Sequence, residues 1–382
     1  MQATVPAPPL GIYVHIPFCT GKCPYCGFNS RPAHEGEVEG YAAALENEAA
    51  LRLEGRPAVD TIYFGGGTPT TVAASTLTHL LRALEAQAAV AAEAEVTVEA
   101  NPESLSPDAL GELRDAGFNR ISIGAQSFDA AVLAALGRRH DAARAVAAIE
   151  QTRAAGWANV SVDLIYGAPG QSQEQWRATL ARVTDLGPDH ISAYCLTVEP
   201  GTEFQRREAA GATVGVGEDA ELEMYSTARQ VLGAAGYEQY EISNFALRGK
   251  RCRHNLKYWR GEDYIGLGAG AHSSLARVRW ANVSAPEQYA ALLTRNIPPV
   301  TYVERLSERR RMDEELILGL RTAEGACLNW LGERYGRDVQ REYRSKVELL
   351  AGEGLALIHG SRVALSERGM ALANEVAIRI MA

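Results

Sequence analysis

The sequence is poor in lysine and has no long apolar run. Only four of its 38 basic residues are lysines, and the formal net charge is −9. This balance argues against a general electrostatic affinity for nucleic acid or for anionic membranes. No apolar run approaches the roughly 18 residues of a spanning helix. The first residues, MQATVPAPPLG, lack the basic stretch and apolar core of a secretory signal. We therefore expect a cytoplasmic protein with no nucleic-acid partner.

Cysteine is also scarce, but its distribution is uneven. Of the six cysteines, Cys19, Cys23 and Cys26 lie within eight positions, in HIPFCTGKCPYCGFNS. In a cytosolic protein such clustering indicates metal ligands or redox groups rather than a disulfide framework. Cys195 lies in a predicted strand and is expected in the core. For Cys252 and Cys327 we expect no chemical role.

Three clustered thiolates fit two kinds of metal site. Zinc would need a fourth ligand such as His15 or His34, but no second ligand pair follows a dozen or so residues later. An iron–sulfur cubane fits better: ferredoxins normally supply four cysteines to it, and three would leave one iron open to a further ligand. The alternative without any metal is that the three cysteines only pack in a hydrophobic core.

Short β-branched runs alternate with Ala/Leu-rich helical stretches over the first 200 residues. Six βα units in a row predict a parallel sheet with right-handed crossovers. Polar residues repeat at the strand ends, which favours a closed or partly open (β/α) barrel over a doubly wound sheet. The predicted strands cover 11–17, 61–67, 95–101, 120–127, 159–167 and 190–197, and a further one covers 237–246. The predicted helices cover 39–55, 73–87, 107–117, 142–156, 172–187 and 217–235.

From about residue 300 the pattern changes to helices at 306–321, 326–335 and 338–352, followed by a β-hairpin that turns at His359–Ser361. This order resembles a winged helix. DNA binding is disfavoured because residues 306–382 carry 12 basic and 12 acidic residues. We therefore predict an α/β protein with two domains. Residues 1–300 form the first, with a core barrel at about 11–200 and an extension at 201–300. Residues 301–382 form a smaller, mostly helical, winged-helix-like C-terminal domain.

Further polar and glycine residues mark the ends of later strands. FGGGTPT at 64–70 would let the backbone approach a ligand closely, although a plain turn is the alternative. Glu99, Gln126 and Asp163 end three successive strands, and a buried carboxylate needs a partner. A cationic ligand would satisfy them, as would structural arginines. Arg138 and Arg139 could each bind a carboxylate through two hydrogen bonds.

The spacing Cys-x3-Cys-x2-Cys after a first strand, with Tyr25 before the last cysteine, resembles the radical S-adenosylmethionine (SAM) superfamily. The resemblance implies a [4Fe-4S] cluster on a partial (β/α)6 barrel, with the open iron chelated by the amino and carboxylate groups of SAM. It also implies that the glycine run receives the SAM amino group.

A narrower resemblance rests on YVHIPFC, GGGTPT, EANPE, ISIGAQSF, GRRH and DLIYGAPGQ. Together these segments look like the subfamily of oxygen-independent coproporphyrinogen III dehydrogenases and haem chaperones, and the resemblance covers nearly the whole chain. It implies cluster ligands at Cys19, Cys23 and Cys26. It implies SAM contacts at Tyr13, Tyr25, Gly66, Gly67, Thr68, Glu99, Gln126, Arg138 and Asp163.

The subfamily contains two kinds of function. The dehydrogenase uses SAM to decarboxylate porphyrinogen propionates oxidatively, whereas the chaperone binds haem and delivers it to other proteins. Phe28 stands where the dehydrogenase carries a fourth cysteine, and only 18 residues precede Cys19, where the dehydrogenase has a long extension. Both features favour the chaperone.

A third feature is RHNLKYW at 253–259, which resembles the HNxxYW motif of the haem chaperones. Neutral imidazole is a common ligand of haem iron. The resemblance makes His254 the candidate haem contact, surrounded by Asn255, Tyr258 and Trp259. A hydrogen-bonded structural role is the alternative for a single histidine. His272 is a second candidate, and His15 is expected to brace the cysteine loop. The expected partners are haem, haem-acceptor proteins, some of them in membranes and reached by peripheral contact, and an electron donor.

Overall fold

A computed structural model describes residues 8–381 of the chain. Its centre is a set of six strands that follow one another in chain order, each parallel to the next. This arrangement confirms the predicted α/β fold. The strands are β1 (Leu10–Ile16), β2 (Ala58–Gly66), β3 (Ala89–Ala100), β4 (Arg120–Gln126), β5 (Val160–Tyr166) and β6 (His190–Cys195).

Helices connect these strands. At least one helix follows each of the first five strands, because two parallel neighbouring strands must be joined by a long crossover connection. Gly117 and Gly156 follow two of the helices with φ of 114° and 83°, as expected of residues that end a helix. The helices are α1 (Glu37–Arg52), α2 (Ala74–Gln87), α3 (Pro107–Asp115), α4 (Ala130–Ala135), α5 (Ala142–Ala154) and α6 (Gln173–Leu186).

The sheet continues beyond both ends of the six-stranded core. Beside β1, β9 (Tyr264–Leu267) is parallel, and β10 (His272–Leu275), β11 (Val278–Asn282) and β12 (Val300–Arg305) follow antiparallel. Beside β6 lie β8 (Asn244–Ala246) and β7 (Glu238–Gln239). The strands β1 and β6 therefore have other neighbours, and the barrel is partial, as predicted.

Two sequence predictions need correction here. The single strand expected at 237–246 is two short strands, because the chain reverses at Tyr240–Ser243 and β7 pairs back onto β8. The sheet also continues past residue 300, the predicted domain boundary, since β12 pairs with β11. The remaining helices of this region are α7 (Glu203–Ala209), α8 (Glu218–Ala234), α9 (Arg253–Trp259) and α10 (Pro286–Thr294).

The two faces of the core strands differ in polarity. Along β4 the residues Ile121, Ile123 and Ala125 are fully buried under the helices. Arg120 and Ser122 alternate with them and line a cavity inside the barrel. Because side chains along a strand point to opposite faces in turn, one face builds the hydrophobic core and the other lines the interior. This alternation is what brings polar groups together inside the barrel.

The C-terminal part contains helices and a three-stranded sheet of order β13-β15-β14. The hairpin turns at Gly360 and Ser361, within the predicted turn. Helices followed by this hairpin give the predicted winged-helix-like arrangement. Residues 1–7 of the predicted first domain and residue 382 of the predicted C-terminal domain lie outside the described residues. The elements are α11 (Glu308–Leu320), β13 (Ala326–Cys327), α12 (Leu328–Tyr335), α13 (Val339–Gly352), β14 (Ala356–His359), β15 (Arg362–Leu365), α14 (Glu367–Ala371) and α15 (Ala373–Met381).

Candidate functional site

The three clustered cysteines lie in one closed loop that follows β1, which we call the cysteine loop (residues 17–31). Its ends are joined by hydrogen bonds from Cys19 N to Arg31 O (3.0 Å) and from Arg31 N to Pro17 O (2.9 Å). Inside it, Cys26 N donates to Cys23 O at 3.1 Å. All three cysteines are free thiols and partly exposed. The loop therefore presents three available sulfur atoms at the carboxyl end of the first strand.

His15 holds this loop in place. Its Nε2 lies 2.9 Å from Asn29 O, and its Nδ1 lies 3.0 Å from the Tyr13 hydroxyl. Both ring nitrogens are thus engaged, which gives His15 the bracing role predicted from the sequence and leaves it no nitrogen for zinc. Asn29 in turn donates to Ala269 O (3.0 Å) and Ser284 O (2.8 Å), which ties the loop to the strand extension.

A cavity of about 540 Å³ opens inside the barrel beside the cysteine loop. Polar groups from β2 to β6 meet there because their strands end on the same side. Tyr13, Gly66, His254, Tyr258 and Trp259 are not among its lining residues. The predicted site residues that line it are Cys19, Cys23, Tyr25, Cys26, Gly67, Thr68, Glu99, Gln126, Arg138, Asp163 and Asn255.

The glycine run at the end of β2 lies directly against the cysteine loop. A Cβ atom on Gly67 would lie 2.5 Å from Phe18 O, so a side chain would not fit there. Gly67 N donates to Ile16 O at 2.8 Å, and Gly66 N donates to Glu99 Oε2 at 3.1 Å. These backbone donors are used within the protein. A protonated amino group bound here would donate its hydrogen bonds to acceptors such as backbone carbonyl oxygens.

Glu99 and Asp163 line the cavity without a basic partner in contact, and an exposed third carboxylate, Glu199, also lines it. Glu99 Oε1 accepts a hydrogen bond from the Tyr63 hydroxyl at 2.7 Å, and both oxygens of Asp163 lie 3.0–3.1 Å from Ser122 Oγ. Burial raises the pKa of Glu99 to about 7 and also raises the pKa of Asp163. A cationic ligand would favour the ionised form of both groups.

The structure distinguishes the two candidate arginines. Arg138 lines the cavity, where its Nη2 donates to Asn101 Oδ1 (2.6 Å) and its Nη1 lies 3.5 Å from Cys23 Sγ. The Arg139 guanidinium instead lies against Gly21 in the loop. Gln126 has φ of 64°, a left-handed conformation that is uncommon outside glycine and that is often found at functional sites.

The HNxxYW-like segment forms α9 and lies against the strands rather than along the cavity. His254 is 1% exposed, with Nδ1 2.9 Å from Thr61 Oγ1 and Nε2 2.8 Å from the Tyr258 hydroxyl. Burial lowers its pKa to about 3. Glu95 on β3 accepts from His254 N at 3.0 Å, at the start of the helix. This geometry leaves neither imidazole nitrogen free for iron, so the haem contact of His254 stays a prediction that requires α9 to move.

The other predicted haem residues are spread out. Tyr258 meets Tyr264 edge to face, with ring centroids 4.7 Å apart, and Trp259 lies under the Arg321 guanidinium at 5.2 Å. His272 is exposed on β10. Of the four residues at 254, 255, 258 and 259, the structure brings only Asn255 to the cavity.

Several lining residues were missed in the sequence. They lie on the inward faces of β2, β4 and β6. Counting back in steps of two from Gln126 would have found Ser122 and Arg120 on β4. The missed residues are Tyr63, Arg120, Ser122, Ser192 and Tyr194.

The donor set fits the cofactors that the resemblance implies. Among residues 8–381 no group of three or more His, Cys, Asp or Glu side chains is arranged around a single metal ion. In a cubane each thiolate binds a different iron, so its ligands need not converge on one point. Three free thiols, Glu99, Asp163 and Arg138 line one cavity. They match a cluster together with a cofactor that carries an amino group, a carboxylate and a sulfonium cation. A [4Fe-4S] cluster held there would supply an open iron for SAM and an electron for its cleavage.

Comparisons with known proteins agree with this assignment. The family model for the radical SAM superfamily matches residues 13–183, and that for the HemN C-terminal domain matches residues 306–372. A Mycobacterium tuberculosis protein named "Heme chaperone HemW" is 38% identical over 98% of this chain and 95% of its own length. One of the same name from Bacillus subtilis is 36% identical over 95% of this chain and 97% of its own length.

A solved structure has the same fold over nearly the whole chain. Coproporphyrinogen III oxidase (HemN) from Escherichia coli, described as a radical SAM enzyme, superimposes with a TM-score of 0.86 at 24% identity. The match covers 99% of this chain and 91% of that one. At this identity the match shows the fold alone.

A partial barrel of six parallel strands, with three cysteines in the loop after the first, defines a radical SAM protein. Within that class, the chain belongs to the family of the HemW proteins. In the part that the structure describes, no helix has the length and apolar character needed to cross a bilayer.

Proposed function

We propose that this chain is a haem chaperone that carries a [4Fe-4S] cluster, binds SAM and haem, and passes haem to acceptor proteins. The supporting observation is its similarity, along nearly its whole length, to relatives named as haem chaperones. The cysteine loop and the cavity beside it are consistent with this role. In this proposal Cys19, Cys23 and Cys26 hold the cluster, and the lining residues from Tyr25 to Asp163 receive SAM.

The division of labour between the two domains is also a proposal. The barrel and its extension would hold the cofactors, and the C-terminal domain would support them. Because β12 belongs to the large sheet, we place the division after Arg305 rather than at residue 300. The expected cytoplasmic location, the electron donor and peripheral contact with membrane-bound haem acceptors all belong to the same proposal.

Phe28 is the local feature that separates the chaperone from the dehydrogenase. It lies two positions after Cys26, lines the cavity and is 67% exposed. At that position an aromatic ring replaces the fourth thiol of the dehydrogenase pattern. An exposed apolar ring beside a cavity suits a flat, apolar ligand such as haem.

The test combines two assays on one anaerobically reconstituted sample. We expect haem to bind to the cluster-containing protein, and we expect no conversion of coproporphyrinogen III in the presence of SAM and a reductant. Formation of protoporphyrinogen under these conditions would contradict the proposal and favour the dehydrogenase. The iron and sulfide content of the sample verifies that the cluster is present in both assays.

A further inference from the structure

Arg120 is a buried cation inside the barrel that the protein itself does not neutralise by contact. It is the first residue of β4, is 2% exposed, and lines the same cavity as the three cysteines. Its Nε has no hydrogen-bond partner, and within residues 8–381 no carboxylate forms an ion pair with it. A guanidinium stays charged at every relevant pH. Leaving such a group buried and unpaired is unfavourable, so the position calls for an explanation.

The neighbouring carboxylates Glu95, Glu99 and Asp163 offset the charge of Arg120 at a distance, but none of them contacts its guanidinium, because each accepts its hydrogen bonds from other donors. Within the part of the chain that the structure describes, the hydrogen-bonding capacity of Arg120 therefore stays unused. Glu99 is bound by Tyr63 and Gly66, and Asp163 is bound by Ser122. The third carboxylate, Glu95, accepts hydrogen bonds from the start of α9, where the donors are Cys252 Sγ, Arg253 N and His254 N.

The lining residues restrict the chemistry of a ligand that would pair with Arg120. The planar fork of a guanidinium matches a carboxylate through two hydrogen bonds. Two aromatic side chains also line the cavity with large exposed fractions, Phe28 at 67% and Tyr194 at 41%. A ligand that meets both features has a flat apolar body and a carboxylate. Haem, with its propionates, has this composition.

We propose that Arg120 binds a propionate carboxylate of haem, an inference that rests on the proposed haem-binding function. The methionine carboxylate of SAM is another source of the same group. The resemblance makes Arg138 a SAM contact, and its guanidinium lies beside Cys23 at the cysteine loop, where it could bind that carboxylate. Arg120 lies at the opposite end of β4 from Gln126, deeper in the barrel. Its guanidinium is therefore available to a second anionic group besides the SAM carboxylate.

The experiment titrates the reconstituted protein with haemin and with haemin dimethyl ester, which lacks the free carboxylates. In the wild type the ester is expected to bind about 10- to 100-fold more weakly. Arg120→Met should weaken haemin binding by a similar factor and leave ester binding unchanged, so the two losses are not additive. Arg120→Lys, which keeps the charge, should recover part of the affinity. The matched control is Arg144→Met on α5, outside the cavity, and it should bind haemin like the wild type.

The outcomes separate this inference from the function on which it rests. Equal binding of haemin and its ester by the wild type would overturn the role of Arg120 and leave the chaperone proposal standing. If the wild type binds neither haemin nor its ester, the chaperone proposal is wrong and the inference fails with it. If Arg120→Met loses SAM affinity but keeps haemin affinity, the guanidinium serves the SAM carboxylate and the inference is wrong. If the Met variant does not fold, Arg120→Gln, which keeps hydrogen-bonding groups but carries no charge, takes its place in the same comparison.

Discussion

Glu99 connects the predicted SAM site to pH. Its pKa of about 7 reflects burial, which disfavours the charged carboxylate. The sulfonium and ammonium groups of SAM would favour that charged form. We therefore expect SAM affinity to fall as the pH drops below about 7, by at most tenfold per pH unit, and to level off above it. Titrations of the reconstituted protein at pH 6 and pH 8 measure this difference.

The matched variant for this measurement is Glu99→Gln, which cannot ionise. It should bind SAM weakly at both pH values and show no step near pH 7. A pH dependence that persists unchanged in this variant would contradict the role of Glu99. Cluster absorbance recorded at each pH separates loss of SAM affinity from loss of the cluster.

The same carboxylate should lower the stability of the SAM-free protein. Its folded pKa of about 7 exceeds its ordinary value of 4.5, so the folded state binds more protons than the unfolded state between these values. Stability therefore decreases as the pH rises through that window and stays lower above pH 7. Glu99→Gln should raise the apparent Tm at pH 8 by about 2–4 °C, given a gain of about 1–3 kcal/mol. At pH 5 the gain should shrink towards zero, and an equal gain at both pH values would contradict this explanation.

The limits of sequence reasoning are clearest at single residues. The grouping of Cys19, Cys23 and Cys26 in one loop was predictable because their spacing is local. The surroundings of His254 were not, because its partner Thr61 is 193 positions away in the chain. The strand pattern could place Arg120 on the inward face of β4 but could not show that it is buried, since its burial arises only when six strands enclose the interior.

At the scale of elements, α9 closes one side of the barrel interior. Its start is bonded to Glu95 on β3, and its His254 is bonded to Thr61 on β2. The histidine of the HNxxYW-like pattern therefore has a structural role, because its side chain attaches this helix to β2. The sequence alone could not reveal which end of the barrel the helix covers.

His254→Ala tests this structural role against a role as iron ligand. Loss of the imidazole leaves the buried hydroxyls of Thr61 and Tyr258 without their partner, and we expect a destabilisation of about 2–4 kcal/mol. A purely structural role predicts a lower apparent Tm together with an absorption spectrum of bound haem like that of the wild type. A changed haem spectrum at an unchanged Tm would show that His254 ligates the iron instead.

The contact between the cysteine loop and the strand extension can be tested at Asn29. This side chain joins the loop to the segments around Ala269 and Ser284. Asn29→Ala should loosen the loop and lower the iron retained after reconstitution several-fold, with little change in secondary structure by circular dichroism. Asn374→Ala, which removes a surface contact to Arg321, is the control and should retain iron like the wild type. Equal iron content in both variants would contradict the bracing role.

The elements that could be predicted share one physical property. The six core strands are apolar on the helix-facing side and are separated by amphipathic helices, so their pattern is visible in short windows. The antiparallel pair of β11 and β12 was missed because β12 is largely exposed and carries charged and polar residues such as Glu304 and Arg305. Antiparallel strands at a sheet edge need little apolar surface, and they leave a weaker pattern.

At the scale of the whole molecule, the C-terminal domain covers α9 from outside. Arg311 Nη2 donates to Gly261 O at 3.2 Å just after the helix, and Ala323 N donates to Tyr240 O at 2.9 Å. Trp259 lies under Arg321 on the same side. The helix that closes the barrel is thus held between the sheet and the C-terminal domain. Any movement of α9 that freed His254 would have to break contacts on both sides.

The most direct test of the account is a haem titration of the anaerobically reconstituted protein, followed by gel filtration and analysis of haem and cluster iron in the same fractions. The account predicts that haem and the [4Fe-4S] cluster elute together with the protein, each at close to one equivalent. Recovery of the cluster with no retained haem would contradict the central claim that this radical SAM protein is a haem carrier.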